Sequence, residues 1–148
     1  MPDARSPLVA IGALNAALAV AAGAFAAHGL RARLSERALE IFETGARYHM
    51  YHALAMILAG LVAARAEASE RAGLGKEGAA SEREARAKGD RRGASTAGWI
   101  FLAGIAIFSG SLYALALTDV KALGAITPLG GLAFLVGWLW LAWAAWRG

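Results

Sequence analysis

Three histidines are the residues of this chain whose type and spacing are best suited to chemistry. His28 follows the first apolar stretch, and His49 and His52 lie three residues apart where the second begins. Side chains three residues apart share one side of a helix. Imidazole nitrogens bind zinc, copper and haem iron, and the ring changes charge near neutral pH. The alternative interpretation is that these side chains only anchor helix ends at a boundary between apolar and aqueous surroundings.

The other residue types do not indicate an enzyme site. The chain has no cysteine, which excludes disulfides, thiolate metal sites and cysteine nucleophiles. No carboxylate completes a metal-ligand set with the histidines, and no glycine loop or nucleophile motif has the strand–turn–helix context that such chemistry needs. The sequence therefore predicts no enzyme and no cofactor, and it leaves His28 and His52 as the candidate ligands for a metal or haem.

Long apolar stretches must position these residues. Hydrophobic residues make up 58% of the 148 residues and charged residues only 18%. A helix needs about 20 apolar residues to cross a bilayer, and four stretches meet this length: residues 8–27, 46–64, 98–117 and 122–146. The first is longer than the roughly 7–15 residues of a secretory signal core, so we expect it to remain as a span. The sequence predicts an all-α, polytopic membrane protein with four transmembrane helices in an antiparallel bundle.

The connections between the spans carry helix signals of their own. Ser35 can cap a helix that begins at Glu36, and residues 34–42 have one apolar face. This predicts a short interfacial helix after the first span, or a polar extension of the second. Asp119 is expected to cap a helix in the tight turn between the last two spans. Pro128 predicts a bend in the fourth span, or a broken helix that lines a small cavity.

Charge is concentrated in one segment. Of the 26 charged residues, 14 lie between Arg65 and Arg92. Segment 65–97 contains no aromatic residue and little that a core could bury, so it is predicted to be a charged, disordered cytoplasmic linker. Because its acidic and basic residues are mixed, nucleic acid is not implied as a partner.

The distribution of Lys and Arg predicts the orientation. The side that holds both termini and segment 65–97 has ten of these residues, and the other side has five. Positive loops stay in the cytoplasm, so both termini are expected to face it. Ionisable residues are absent from the central portion of every span, which disfavours proton-coupled transport and ion conduction.

Four short stretches together resemble a known family. They are GAFAAHG at 23–29, GARYHMYHALA at 45–55, GSLYALAL at 110–117 and GAITPLGG at 124–131. This set resembles the YgdD/YwdK family of small inner-membrane proteins, a domain-of-unknown-function family with four predicted spans. The resemblance implies a location in the bacterial cytoplasmic membrane and brings no enzyme signature with it. At position 49 the family pattern more often has glutamine, which favours His28 and His52 over His49 as functional residues.

All four stretches fall in the outer half of the predicted bundle, so a site is expected there. The candidate functional cluster is His28, Arg47, Tyr48, His52, Ser111, Tyr113, Thr127 and Pro128. The alternative interpretation is that these turns only need packing and caps, because polar groups near hydrocarbon must find partners. The sequence predicts a non-enzymatic packing, assembly or partner-docking factor that contacts the lipid bilayer and acts as a homo-oligomer or with a membrane-protein partner. A metal- or haem-binding module and an oligomeric channel or transporter for a small neutral solute stay open as alternatives.

Overall fold

The structure is a computed structural model that describes residues 7–73 and 80–147. Predictions that fall on residues 1–6, 74–79 and 148 lie outside the described part. Within it, the chain forms only helices and their connecting turns. The elements are α1 (Pro7–Phe25), a π-helical segment π1 (Ala26–Leu30), α2 (Glu36–Gly73), α3 (Ala80–Gly104), a second π-helical segment π2 (Ile105–Ser109), α4 (Gly110–Thr118) and α5 (Ala122–Arg147).

Four stretches of continuous helix are long and apolar enough to cross a membrane. They are Pro7–Leu30, Glu36–Arg71, Ala85–Thr118 and Ala122–Arg147. Each contains one of the four apolar stretches of the sequence, because a backbone in hydrocarbon must satisfy its own N–H and C=O groups. The prediction of an all-α bundle with four membrane-spanning helices is confirmed.

The short helix expected after the first span is the beginning of α2, which runs without a break from Glu36 to Gly73. The Ser35 hydroxyl accepts a hydrogen bond from the Ala38 N–H at 3.2 Å, which caps this helix. Its apolar face is covered by the bundle: Phe42 is 4% exposed and its ring centroid lies 4.6 Å from that of Tyr113. This face is therefore not free to lie on a bilayer surface, and the segment extends the second span.

The charged segment 65–97 differs from its prediction as a disordered linker. Its described residues are helical, since α2 continues to Gly73 and α3 begins at Ala80. Alanine, glutamate, arginine and lysine have high intrinsic helix propensity. Low apolar content alone does not reveal this local preference for helix. An ion pair at 3.4 Å between Glu70 and Arg91 joins the two helices, and Ala94 is fully buried. The two charged helical ends therefore pack together instead of remaining solvated separately.

Small residues let the helices approach α2 from several sides. A Cβ on Gly12 of α1 would lie 3.0 Å from the Ala53 carbonyl oxygen of α2. Ala53, Ala59 and Met56 of α2 are fully buried. They belong to a core cluster that includes buried residues of α1, α3 and α5. Lipid tails are as apolar as the helices, so the hydrophobic effect does not drive the helices together in a membrane. Close van der Waals contact between small residues stabilises the bundle instead.

The turn between α4 and α5 is set by one residue with a left-handed backbone. Asp119 has φ 56° and ψ 20° and ends α4, where its N–H donates to the Leu115 carbonyl at 2.9 Å. Asp119 therefore ends α4 through its backbone and not, as its side-chain preference predicts, by capping the start of a helix. A left-handed residue here reverses the chain within three positions and brings α5 back along α4.

Pro128 lies inside α5, which remains helical from Ala122 to Arg147. A proline inside a helix has no N–H to donate and usually bends it, but here the helix is not broken. The irregular helical geometry occurs instead in π1 and π2, and neither of these contains a proline. Single π-helical turns are uncommon and often accompany functional positions.

Candidate functional site

The second of the four membrane-spanning helices carries both buried histidines. His49 and His52 lie in one turn of α2, and their side chains face the other helices, with 7% and 5% of their surface exposed. A polar ring at this depth must find hydrogen-bond partners, because unsatisfied groups are costly in hydrocarbon. The geometry around each ring shows where these partners come from.

His49 connects three helices. Its Nε2 lies 3.1 Å from Asn15 Oδ1 of α1, and its Nδ1 lies 3.3 Å from the Tyr113 hydroxyl of α4. The Asn15 amide donates through Nδ2 to the Ile11 carbonyl at 2.9 Å, so its Oδ1 is the acceptor. The His49 Nε2–H therefore donates to Asn15, and Nδ1 accepts from the Tyr113 hydroxyl. These two bonds fit the Nε2–H tautomer of the ring.

His52 connects α2 with α5 through the opposite tautomer. Its Nδ1–H donates to the Tyr48 carbonyl one turn earlier, at 2.8 Å. Its Nε2 accepts from the indole N–H of Trp138 at 3.3 Å. The imidazole also stacks on the ring of Phe134, with centroids 3.4 Å apart and planes 5° apart. Both nitrogens and one face of the ring are thus in contact with the protein.

A third polar contact joins α4 and α5. The hydroxyls of Ser111 and Thr127 lie 2.9 Å apart. The Ser111 hydroxyl also reaches the Phe108 carbonyl at 2.9 Å, and the Thr127 hydroxyl reaches the Leu123 carbonyl at 3.4 Å, so either hydroxyl can donate in this pair. Ser111 is 7% exposed, so the contact is made inside the bundle beside π2.

The candidate cluster divides into residues that the structure brings together and residues that it does not. His52 is bonded to Tyr48, and Ser111 is bonded to Thr127, while Tyr113 is bonded to His49. The remaining candidates are exposed and lie outside these contacts: His28, Arg47 and Pro128.

His28 and His52 do not form a common ligand pair. The ring of Phe25, just before π1, contacts that of Phe42 near the start of α2, with centroids 6.5 Å apart. His52 lies ten residues beyond Phe42, which is about 15 Å along the helix axis. Both His52 nitrogens are also already bonded. In the part of the chain that the structure describes, no group of three or more His, Cys, Asp or Glu side chains could hold a metal ion.

Three residues of this site are missing from the candidate cluster: His49, Asn15 and Trp138. His49 was set aside on the family pattern, whereas Asn15 was visible as the lone strongly polar residue of the first span. A single asparagine in a membrane helix signals a hydrogen bond to another helix. Trp138 carried no comparable signal, because the other tryptophans of α5 lie toward its end and are typical of an interfacial belt.

The direction of the hydrogen bonds limits what this arrangement can do. The chain of donors runs from the Tyr113 hydroxyl through His49 to Asn15 and ends at the Ile11 carbonyl. An amide and a backbone carbonyl do not pass a proton onward, so the series ends there. What the arrangement does supply is a connection between α1, α2 and α4 that is satisfied at every atom.

Comparisons with known proteins place this architecture in a family. The chain is 41% identical over 137 residues to the UPF0382 membrane protein YwdK of Bacillus subtilis (strain 168), covering 93% of this chain and 94% of the relative. It is 38% identical over 133 residues to the UPF0382 membrane protein SAB0533 of Staphylococcus aureus, covering 90% and 89%. No solved structure matches the chain significantly. The family described as protein of unknown function, DUF423, matches residues 22–131, and the chain belongs to this family of membrane proteins.

Proposed function

We propose that this chain is a non-enzymatic assembly protein of the bacterial cytoplasmic membrane, with both termini in the cytoplasm, and that it works as a homo-oligomer. One observation carries the first part: all four ring nitrogens of His49 and His52 are bonded to other groups of the chain. Side chains used in this way hold helices in register and offer no open ligand atom. The metal or haem alternative needs a His52 nitrogen, and both His52 nitrogens are already bonded.

A groove on the outside of the same region supports the second part. It has a volume of about 390 Å³ and lies between α1 and α2. Its floor is made of small residues, Ala19, Gly23 and Ala46. A Cβ on Gly23 would meet nothing within 4 Å. Small residues that leave room above a membrane helix are the usual contact point for another helix.

The charges on the rim of this groove favour a second copy of the chain as its occupant. Glu43 and Arg47 lie one turn apart on α2, and both line the groove. A two-fold contact places the same patch against itself. Opposite charges one turn apart can then pair crosswise between the copies, as they do at the flanks of coiled coils. Arg47, exposed in the single chain, would gain a role of this kind.

Two glycine substitutions test the homo-oligomer. Gly23→Leu fills the groove, and Gly110→Leu is the matched control, because a Cβ on Gly110 also meets nothing within 4 Å and Gly110 does not line the groove. The number of copies is counted by single-molecule photobleaching of the full chain in lipid bilayers. We expect wild type and Gly110→Leu to give dimers or larger oligomers and Gly23→Leu to give single copies.

The opposite results overturn the proposal in different ways. A wild-type chain that is monomeric in bilayers at all densities rejects the homo-oligomer. Equal oligomer content in both variants rejects this groove as the contact. Loss of oligomers in both variants shows that the effect comes from glycine replacement in general and likewise removes the support for the groove.

A further inference from the structure

A second groove lies at the opposite end of the bundle from the histidines. It opens between α2, α3 and α5 and has a volume of about 530 Å³. Both apolar and polar side chains line it, among them Val62, Arg65, Ser69, Arg86, Asp90 and Ala145. This groove is separate from the oligomer contact between α1 and α2, and its place on the cytoplasmic side rests on the proposed orientation of the termini.

The groove crosses the boundary of the apolar region. The second apolar stretch ends at residue 64, and Arg65 is the first charge after it. Val62 therefore lies on the hydrocarbon side, and Ser69 lies about 10 Å farther along the helix axis. On α5, exposed Trp143 and Trp146 are at the same end of the bundle, as is typical of the level of lipid head groups.

The chemistry of the lining changes along the groove in the same direction. Val62 on the hydrocarbon side is apolar, and the guanidinium groups of Arg65 and Arg86 and the Ser69 hydroxyl lie farther out. Ala145 of α5 adds an apolar floor beside this polar part, two residues before Arg147. Arg86 is held in place because its Nε–H donates to the Arg147 carbonyl at the end of α5. A guanidinium has five N–H donors, so this bond uses one of them.

Acidic residues near the groove are mostly engaged elsewhere. Glu67 pairs with Arg71 at 2.6 Å, and Glu70 pairs with Arg91 at 3.4 Å. Asp90 is the acidic residue in the lining itself. The two lining arginines thus exceed the one lining carboxylate, and the groove favours an anion.

We infer that this groove binds an anionic phospholipid. The phosphate lies between Arg65 and Arg86, the Ser69 hydroxyl donates to the head group, the head group rests on Ala145, and an acyl chain begins along Val62. Basic pockets between membrane helices on the cytoplasmic side bind such head groups. A free phosphate would use only the polar part, and the apolar contact at Val62, on the hydrocarbon side of Arg65, is the feature that selects a lipid.

Lipid binding to the full-length chain is measured by native mass spectrometry from detergent, with phosphatidylglycerol compared with phosphatidylcholine of the same acyl chains. The test variant is Arg65→Gln with Arg86→Gln. Its control is Arg31→Gln with Arg33→Gln, which removes the same charge at the other end of the bundle. A basic residue near the lipid surface strengthens binding by roughly fivefold, so we expect the test pair to weaken phosphatidylglycerol binding by roughly 25-fold. The control pair should leave it unchanged.

A variant that keeps every charge separates a built groove from a general attraction. Ala145→Phe fills the apolar floor from an exposed position, and we expect it to reduce phosphatidylglycerol binding while the chain remains folded by circular dichroism. No effect of Ala145→Phe, an equal effect of the control arginine pair, or equal binding of both lipids overturns the inference. Displacement of the lipid by millimolar inorganic phosphate also overturns it, because the site would then recognise a free anion.

Discussion

Replacing His49 by leucine tests the central connection of the bundle. Leucine fills a similar space but has no donor or acceptor. It leaves the Tyr113 hydroxyl, now 3.3 Å from His49 Nδ1, without its acceptor, and Asn15 Oδ1, now 3.1 Å from Nε2, without its donor. Three helices lose a shared contact in one substitution.

The size of the effect follows from the number of bonds. An interhelical hydrogen bond in a membrane protein contributes about 0.6 kcal/mol on average and up to about 1.7 kcal/mol. His49 makes two such bonds, so His49→Leu should lower the free energy of unfolding by about 1–3 kcal/mol. Tyr113→Phe removes one bond and should cost about half as much. His49→Gln should recover part of the loss, since an amide offers both a donor and an acceptor.

The assay is reversible unfolding of the purified chain in mixed micelles, followed by circular dichroism as a denaturing detergent is titrated. His28→Leu is the matched control, because His28 is exposed and a surface substitution usually changes stability by less than about 0.5 kcal/mol. The double variant His49→Leu with Tyr113→Phe measures the coupling of the two residues. We expect it to lose less than the sum of the single losses, by about 0.5 kcal/mol or more.

Two results would refute this reasoning. If His49→Leu and His28→Leu unfold at the same detergent fraction, the buried hydrogen bonds contribute nothing to stability. If the losses of His49→Leu and Tyr113→Phe are strictly additive, the two side chains do not interact. Either outcome would also remove the observation on which the assembly proposal depends.

Other parts of the bundle give further expectations. Trp138→Phe removes the indole N–H that donates to His52 Nε2 at 3.3 Å, so it should lower the free energy of unfolding by about 0.6–1.7 kcal/mol. Trp99→Phe, at an exposed position, should not lower it. Equal effects of the two substitutions would contradict the bond between Trp138 and His52. Gly130→Ala should strongly reduce folded yield, because its Cβ would clash with the backbone nitrogen of Phe108 in π2. Gly131→Ala, with its nearest contact at 3.8 Å, should be tolerated. Chelators and added zinc should leave the unfolding curve unchanged, because the buried imidazoles have no open nitrogen; a shift in either titration would show a metal site.

The sequence was sufficient for the spans because one physical constraint decides them. Twenty apolar residues in lipid have no alternative to a helix, and all four stretches are helical as expected. The same emphasis on apolar content predicts a disordered linker at 65–97, whereas the described residues of this segment are helical. Its helices depend on local propensity and on contacts such as Glu70 with Arg91, which composition does not reveal.

The candidate site was located only in part, because partners in a helical bundle depend on rotation and register. The sequence places His49 and His52 on one side of α2, but their partners Asn15, Tyr113 and Trp138 are 34, 64 and 86 residues away. His28 was grouped with them on the expectation that all three lie at one membrane face. Because α2 already begins at Glu36, well before the second apolar stretch, the start of α2 lies beside π1. His52 is therefore separated from π1 by several helical turns along the axis of α2.

The length of α2 couples the two ends of the bundle mechanically. Its 38 residues span about 57 Å, nearly twice the thickness of a bilayer core. The turn with both histidines and the groove lined by Arg65 therefore lie on one continuous helix. A tilt of this helix by about 10° would move one of its ends about 10 Å sideways relative to the other. The rotation of the helix matters as well as its length. One residue inserted between His52 and Arg65 would rotate the two ends of α2 by about 100° relative to each other. Insertions here should be tolerated only near whole numbers of helical turns.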